Sequence, residues 1–124
     1  MPYKITWLDT TVIIDFSGDV TTQEIREHGQ EINDDPRFKN IHKRISNCSK
    51  IQSINANSSD LKIFGFIDHK ISELAPSAHM AVVTTSDQIK TNTEQYKQAF
   101  GSGTWKIELF PSVAEALAWN PTQE

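Results

Sequence analysis

Residues 80–83 read MAVV, an uninterrupted apolar run in a chain of otherwise mixed polarity. A run of this length without alternation predicts a strand buried on both faces, which is typical of the centre of a parallel sheet. Parallel strands need a long connection between them, most often a helix. The run therefore favours an α/β fold in which helices connect neighbouring strands.

Alternating apolar side chains predict the other strands. They recur at Tyr3, Ile5 and Trp7, at Val12, Ile14 and Phe16, and at Trp105, Ile107 and Leu109. Residues 9–11 (DTT) are turn-like, so we expect the first two strands to form a hairpin. Ile41 and Ile45 bracket a further strand. Its Lys43 and Arg44 predict a position at the sheet edge, because charges there discourage pairing with other chains.

Capping residues place four helices among these strands. Thr21 and Glu24 have capping-box spacing at the first helix, and an Asn/Ser-rich junction precedes the second, at 58–74. The third helix begins near Ser86, and the fourth begins at Ser112. The order is ββαβαβαβα. We expect one α/β domain over residues 1–120, with a five-stranded, mixed but mostly parallel sheet, right-handed crossovers and a loose tail at 121–124.

Composition excludes several classes of function. The net charge is −4, with 12 Lys and Arg against 16 Asp and Glu and no basic stripe, so nucleic-acid binding is not expected. No apolar run approaches the roughly 20 residues of a transmembrane helix. The N-terminal MPYKITWLD does not resemble a signal peptide. The single cysteine, Cys48, cannot form an internal disulfide, which favours a cytoplasmic location.

The sequence offers few groups suited to catalysis. The histidines, His28, His42, His69 and His79, lack metal-ligand spacing, so no metal site is expected. Cys48 lies at a strand-to-helix junction, where α/β folds often bind ligands, but no neighbouring base would activate its thiol. No glycine-rich phosphate loop precedes a helix. We therefore expect a non-catalytic protein without a metal or cofactor.

The helix at 58–74 has more apolar residues than one stripe requires. They are Leu61, Ile63, Phe64, Phe66, Ile67, Ile71 and Leu74. One stripe must cover the sheet. A second stripe would remain for a dimer partner or for a nonpolar ligand, unless the domain buries this helix more completely.

Three segments together have a family resemblance that covers nearly the whole chain. They are ITWLDTTVIIDFSGDVTTQEI at 5–25, ISNCSKIQSINANSSDLKIF at 45–64 and FPSVAEALAW at 110–119. In their order the chain resembles the SpoIIAA-like family, which is related to the STAS domains of anti-sigma factor antagonists. The resemblance implies a two-layer α/β domain and a regulatory or protein-interaction role. The family also resembles lipid-carrying CRAL-TRIO domains in fold, which implies a small nonpolar ligand as the alternative.

The resemblance also implies a phosphorylation site. In STAS antagonists the third strand ends in a pattern like Asp-Leu-Ser, and a serine in the turn that follows is phosphorylated. Here the strand end reads Asn47-Cys48-Ser49. An ungapped alignment places Ala56 at the acceptor position, whereas a two-residue insertion places Ser58 there, followed by Ser59. A phosphate at this helix start would be favourable, but both serines can also act as helix caps only.

Two functions stay open at this point. One is a regulatory or protein-interaction module, expected to be a homodimer that uses the 58–74 helix and the preceding loop. The other is a binding protein for a small nonpolar or lipid-like molecule. A flat apolar patch would favour the first, a pocket walled by Phe64, Phe66 or Ile67 the second, and converging titratable groups near Cys48 or a histidine an enzyme. The expected contact residues are Asn47, Cys48, Ser49, Asn57, Leu61, Phe64, Phe66, Ile67 and Ile71.

Overall fold

Strands and helices alternate along residues 3–121, the part of the chain that the computed structural model describes. The strands are β1 (Tyr3–Leu8), β2 (Thr11–Thr21), β3 (Lys43–Asn55), β4 (His79–Val83) and β5 (Ile107–Phe110). The helices are α1 (Thr22–Asp34), α2 (Ser58–Ser72), α3 (Asp87–Phe100) and α4 (Val113–Ala118), and a 3-10 turn at Phe38–Asn40 precedes β3. The predicted order ββαβαβαβα is confirmed. Of the predicted tail, residues 122–124 lie outside the described part.

The sheet has the strand order β1-β2-β3-β4-β5, so each strand lies beside its neighbour in sequence. The hairpin pair β1–β2 is antiparallel, and the other three pairs are parallel. From β2 to β5, each new strand is added on the same side of the preceding one, so all three crossovers run in the same direction across the sheet. Right-handed crossovers in a constant direction place their helices on one face of the sheet. The three crossover helices α1, α2 and α3 therefore share a face.

Burial follows this division into two faces. On the crossover-helix face, side chains of β2 such as Val12 and Ile14 pack with Ile32 of α1 and with Ile89 and Phe100 of α3. The opposite face is covered by the short helix α4. There Ala116 packs in a smaller apolar cluster whose other buried members are Ile13, Ile45, Ala81 and Val83. The chain thus has one large core and one small core, separated by the sheet.

Polar side chains close the helix starts as the sequence predicts. Thr21 accepts from the backbone N–H of Glu24, Ser86 from that of Ile89, and Ser112 from that of Glu115. At α2 the cap is Asn57. Its side chain accepts from the N–H of Asp60 across 2.9 Å, and the Asp60 carboxylate accepts from the Asn57 N–H across 3.1 Å. This reciprocal pair is a capping box, so neither Ser58 nor Ser59 provides the cap.

The predicted polar junction after the third strand is mostly a continuation of that strand, which corrects the sequence prediction. β3 extends to Asn55, and five of its residues between 50 and 55 pair with residues 17–21 of β2, while Gln52 is left out at a second register shift. Pairing passes from Asp15↔Asn47 to Ser17↔Lys50, so β3 has one extra residue at this point. This bulge explains the error. Alternation is interrupted near Cys48, and the sequence on either side no longer shows a single period.

The prediction that Lys43 and Arg44 mark an edge strand is also wrong. β3 lies at the centre of the sheet, between β2 and β4, and both cations are buried. Lys43 points to the α4 face, where its Nζ donates to the carbonyls of Ala116 and Leu117 across 2.8 and 2.7 Å. A cation at a helix C-terminus satisfies carbonyls that lack helical partners. These contacts allow a lysine in a central strand.

Candidate functional site

Alternate residues of β3 face the crossover helices. Arg44 pairs with Val12, and Ser46 pairs with Ile14, both of which belong to the large core. Successive side chains of a strand point to opposite faces, so Arg44 and Ser46 lie on the helix side while Lys43 lies on the α4 side. Cys48 follows on the helix side, at the bulge. These three side chains supply the sheet wall of the site.

A cavity of about 390 Å³ lies between this wall and the three crossover helices. From α2 it is lined by Leu61, Phe64, Ile67 and Ile71, and from the sheet by Arg44, Ser46 and Cys48. Helix α1 contributes residues such as His28 and Gly29, and α3 contributes Ile89, Asn92 and Tyr96. Most of the lining surface is apolar, and polar side chains from the sheet and from all three helices interrupt it.

Arg44 crosses the cavity wall to reach α1. Its Nη2 lies 3.1 Å from Nε2 of His28. Since a guanidinium can only donate, Nε2 is the acceptor and His28 is neutral. Burial, reinforced by the positive charge of Arg44, lowers the pKa of His28 to about 3. Gly29 of α1 lies beside this contact, and a Cβ at that position would be 4.0 Å from Nη2 of Arg44, which is an ordinary van der Waals distance.

A second polar pair joins α2 to α3 at the same cavity. The hydroxyl of Tyr96 donates to Oδ2 of Asp68 across 2.5 Å. Burial raises the pKa of Asp68, although the charge of Arg44 and the hydrogen bond from Tyr96 act in the opposite direction. Burial and the neighbouring carboxylate also raise the pKa of Tyr96 well above its ordinary value. Tyr96 is therefore the donor of this pair.

Some polar atoms of the lining are buried without a hydrogen-bond partner in the described structure. They include two donors of Arg44, Nε and Nη1, and a third donor, Nδ2 of Asn92, whose Oδ1 accepts from Gln88. One acceptor, Oδ1 of Asn33, is in the same condition. Buried polar groups normally find partners, so this surplus of donors distinguishes the site from an ordinary core.

Cys48 lines the cavity but lacks the properties of a nucleophile. Burial raises the pKa of its thiol to about 12, so the thiolate is scarce at neutral pH. His28 cannot act as its base, because the Nε2 lone pair of that histidine already accepts from Arg44. Across residues 3–121, no group of three or more His, Cys, Asp or Glu side chains is placed to hold a metal ion.

The predicted contact residues fall into two groups. Cys48, Leu61, Phe64, Ile67 and Ile71 all line the cavity. The others do not, and whether they contact a partner stays a prediction. These others are Asn47, Ser49, Asn57 and Phe66.

The residues outside the cavity have identifiable environments. Asn47 donates to Asp15 across 2.7 Å and accepts from the hydroxyl of the exposed Ser49 across 2.7 Å. Ser58 and Ser59, the predicted phosphorylation sites, are both exposed at the start of α2. Exposure makes both hydroxyls accessible, and their phosphorylation stays a prediction.

The polar residues of the cavity were not predicted from sequence. The sequence pattern predicts an edge-strand position for Arg44 and indicates no role at this site for His28, Asp68, Asn92 or Tyr96. One signal was available for Arg44. Arg44 and Ile45 are neighbours in a strand, so their side chains point to opposite faces of the sheet. If that strand is buried on both faces, the charge of Arg44 needs a specific partner inside the protein.

Helix α2 also presents apolar side chains to solvent. Phe66 is 61% exposed, Ile63 52% and Ile67 47%, and Leu74, just past the helix end, is 74% exposed. Ile67 also lines the cavity, so it lies at the cavity opening. No helix within residues 3–121 is both long enough and apolar enough to span a bilayer.

Comparison with known proteins shows similarity in structure without similarity in sequence. No protein-family model matches the chain, and no curated protein matches it in sequence. The unphosphorylated form of the anti-sigma factor antagonist SpoIIAA superposes with a TM-score of 0.61 at 15% identity, covering 94% of each chain. The phosphorylated form of the Bacillus cell fate determinant SpoIIAA gives a TM-score of 0.60 at 15% identity, over 94% of this chain and 96% of that one.

A third similar structure is an uncharacterised protein of the DUF3478 family with a SpoIIAA-like fold, from Shewanella loihica PV-4. It has a TM-score of 0.53 at 12% identity, over 94% of this chain and 90% of that one. The three similarities confirm the predicted SpoIIAA-like α/β fold. At 12–15% identity they concern the fold and assign no activity to this chain.

Proposed function

We propose that this protein is a non-catalytic binding protein for a small, mostly nonpolar molecule. The observation that supports the proposal is the cavity of about 390 Å³ between the crossover helices and the sheet. Binding pockets for small molecules typically measure roughly 300–1,000 Å³, with mostly apolar walls and a few polar groups that fix orientation. The cavity has this volume and this type of lining.

The walls match the pocket that the sequence predicted for a ligand-binding protein. Phe64 and Ile67 contribute to them, whereas Phe66 does not. Transfer of a nonpolar molecule from water to such walls is favourable by about 25 cal/mol for each Å² of apolar surface buried. The hydrophobic effect therefore supplies affinity, and the polar groups of β3 and α3 supply selectivity.

Titratable groups do converge near Cys48 and His28, which is the pattern set out above for an enzyme. Their states argue for binding instead. His28 is neutral and occupied by Arg44, Tyr96 is committed to Asp68, and the Cys48 thiol has a pKa of about 12. A general base or an activated nucleophile needs a pKa near the working pH and a reachable proton. These groups lack both properties.

Native mass spectrometry of freshly purified protein tests the proposal. We expect an adduct of a few hundred daltons that is lost on denaturation. The variant Cys48→Trp places a large ring in the cavity and should abolish the adduct. Ser49→Trp adds the same ring at the adjacent exposed position and should retain it. An adduct that persists in Cys48→Trp, or no adduct together with no binding of added apolar probes, would overturn the proposal.

As a second candidate function, we propose a regulatory protein-interaction module formed by two copies of the chain in the cytoplasm. The exposed Ile63, Phe66 and Ile67 of α2 favour it, and so does the similarity in fold to an anti-sigma factor antagonist. The same native spectra should then show a doubled mass. Phe66→Glu should abolish it, while Lys62→Glu on the same helix should weaken it much less. A monomer at all concentrations would exclude this candidate.

A further inference from the structure

We infer that the ligand is a monoanionic amphiphile whose carboxylate is bound by Arg44 while its apolar tail occupies the cavity. This inference rests on the proposed function and specifies the chemical class of the ligand. It starts from the charge of Arg44, which is 2% exposed and lines the cavity. A buried charge is costly unless it is paired and fully hydrogen-bonded.

Arg44 lacks that compensation within residues 3–121. Its side-chain hydrogen bond is to a neutral histidine, and no carboxylate of these residues lies within ion-pair distance of it. Nε and Nη1 are buried without acceptors. A buried donor without an acceptor destabilises the protein, and it does so more strongly when the donor is charged. A carboxylate in the cavity would offer two acceptor oxygens and a negative charge.

Asp68 is a candidate counter-ion for Arg44 within the protein. It lines the same cavity, and the charge of Arg44 acts to lower its pKa. Its Oδ2, however, accepts a hydrogen bond from Tyr96. A ligand with one negative charge is compatible with this neighbour. A doubly charged head, such as a phosphate monoester, would face the carboxyl group of Asp68 as well as the guanidinium of Arg44 and is disfavoured.

The amide nitrogen of Asn92 also favours a ligand head group that accepts hydrogen bonds. Nδ2 of Asn92 is also buried, lines the cavity from α3 and lacks an acceptor. The buried donors without partners thus outnumber the one such acceptor of the lining, on Asn33. A head group made of acceptors fits this excess, whereas an alcohol or an amine would add donors.

Cavity volume sets the length of the tail. About 390 Å³ corresponds to roughly a dozen waters at about 30 Å³ each, and hence to a ligand on the order of a dozen non-hydrogen atoms. Decanoate has this size, with a single carboxylate and a flexible apolar chain. Decanol has the same chain and a neutral head, so it is the matched control ligand. Decyl phosphate has the same chain and a head of higher charge.

Calorimetric titration of the full chain with each ligand at pH 8 tests the inference. Hydrogen bonds to charged groups predict decanoate binding about 10- to 100-fold tighter than decanol and tighter than decyl phosphate. Arg44→Met should remove the preference for decanoate while leaving decanol binding within about threefold. Lys50→Met, which removes an exposed charge from the same strand, should change neither. Circular dichroism of every variant establishes that it is folded.

The outcomes separate the two proposals. Equal binding of decanol and decanoate, or an unchanged preference in folded Arg44→Met, would overturn the assignment of Arg44 and leave the nonpolar site intact. Tighter binding of decyl phosphate than of decanoate would overturn the monoanion. Failure of all three ligands to bind wild-type protein would overturn both proposals. If Arg44→Met does not fold, Arg44→Lys replaces it, and it should weaken decanoate binding without affecting decanol.

Discussion

Arg44 on β3 and His28 on α1 share a hydrogen bond of 3.1 Å, from Nη2 to Nε2, inside the large core. The bond fixes the protonation state of His28, because an acceptor nitrogen beside a guanidinium cannot also hold a proton. It also holds the guanidinium of Arg44 in place through Nη2 and leaves Nε and Nη1 free to donate to other acceptors. The stability of the core and the chemistry of the cavity therefore depend on the same pair.

This pair makes stability depend on pH. The pKa of His28 falls from 6.5 in the unfolded chain to about 3 in the folded protein. The unfolded chain therefore takes up a proton first as the pH falls. Neutral His28 therefore contributes fully to the free energy of unfolding above pH 6.5. This contribution is lost progressively between pH 6.5 and 3, at about 1.4 kcal/mol for each pH unit.

Urea unfolding at pH 7.5, 6.5, 5.5 and 4.5 measures this effect. His28→Gln keeps an acceptor for Arg44 but cannot be protonated, so it should lack the contribution. The carboxyl groups, including Asp68, are present in both proteins and largely cancel in the difference. If the free energy of unfolding of the wild type and of His28→Gln changes equally with pH down to pH 4.5, the assignment of a neutral His28 is contradicted.

The same substitution at two glycines should have opposite effects. A Cβ at Gly65 of α2 would lie 2.6 Å from the carbonyl oxygen of Tyr96 and 2.9 Å from the N of Phe100. These are backbone atoms of α3, so Gly65→Ala must push the helices apart and should cost about 1–3 kcal/mol. Gly29→Ala in α1 has space and should be neutral or stabilising by up to about 1 kcal/mol. Denaturant midpoints of both variants test the contrast.

The capping box at α2 predicts which polar residue matters there. Asn57→Ala removes the acceptor for the Asp60 N–H and should destabilise the protein by about 1 kcal/mol. Ser59→Ala is the control, since that side chain is exposed and does not provide the cap, and it should change stability by less than about 0.5 kcal/mol. Thermal unfolding measures both. A larger loss of stability for Ser59→Ala than for Asn57→Ala would show that Ser59, and not Asn57, caps α2.

Cys48 should react slowly with thiol reagents. Its pKa of about 12 lies roughly three units above that of a free thiol, so modification at pH 8 should be on the order of a thousandfold slower than in the unfolded chain. The control places an exposed thiol beside it, as Ser49→Cys in a Cys48→Ser background. That thiol should react at nearly the unfolded rate. Similar rates for the two cysteines would show that burial does not control Cys48.

Most of the fold follows from local sequence signals. Strand alternation at Tyr3, Ile5 and Trp7, the run at 80–83 and the caps at Thr21 and Ser86 all involve interactions within a few residues. Such interactions are readable without knowledge of the tertiary structure. Local signals do not predict the full extent of β3, because its C-terminal half owes its conformation to pairing with β2, about thirty residues away.

The site was only partly predictable for a related reason. The apolar wall of α2 is evident from Leu61, Phe64 and Ile71 at helical spacing. The polar wall is not, because Arg44 depends on His28 across the helix–sheet interface, and Lys43 depends on α4, 73 residues later. No local pattern distinguishes a buried, partnered cation from an exposed one. The cavity volume depends on how closely α1, α2 and α3 approach, which no single segment determines.

The consecutive strand order has a consequence for folding during synthesis. Each strand hydrogen-bonds to the strand made just before it, so the sheet can grow from the N-terminal hairpin without waiting for distant segments. Lys43 is the exception, because the carbonyls that receive its Nζ belong to α4, which emerges last. Until then a cation in the central strand has no acceptor there. Docking of α4 therefore completes the small core late in folding.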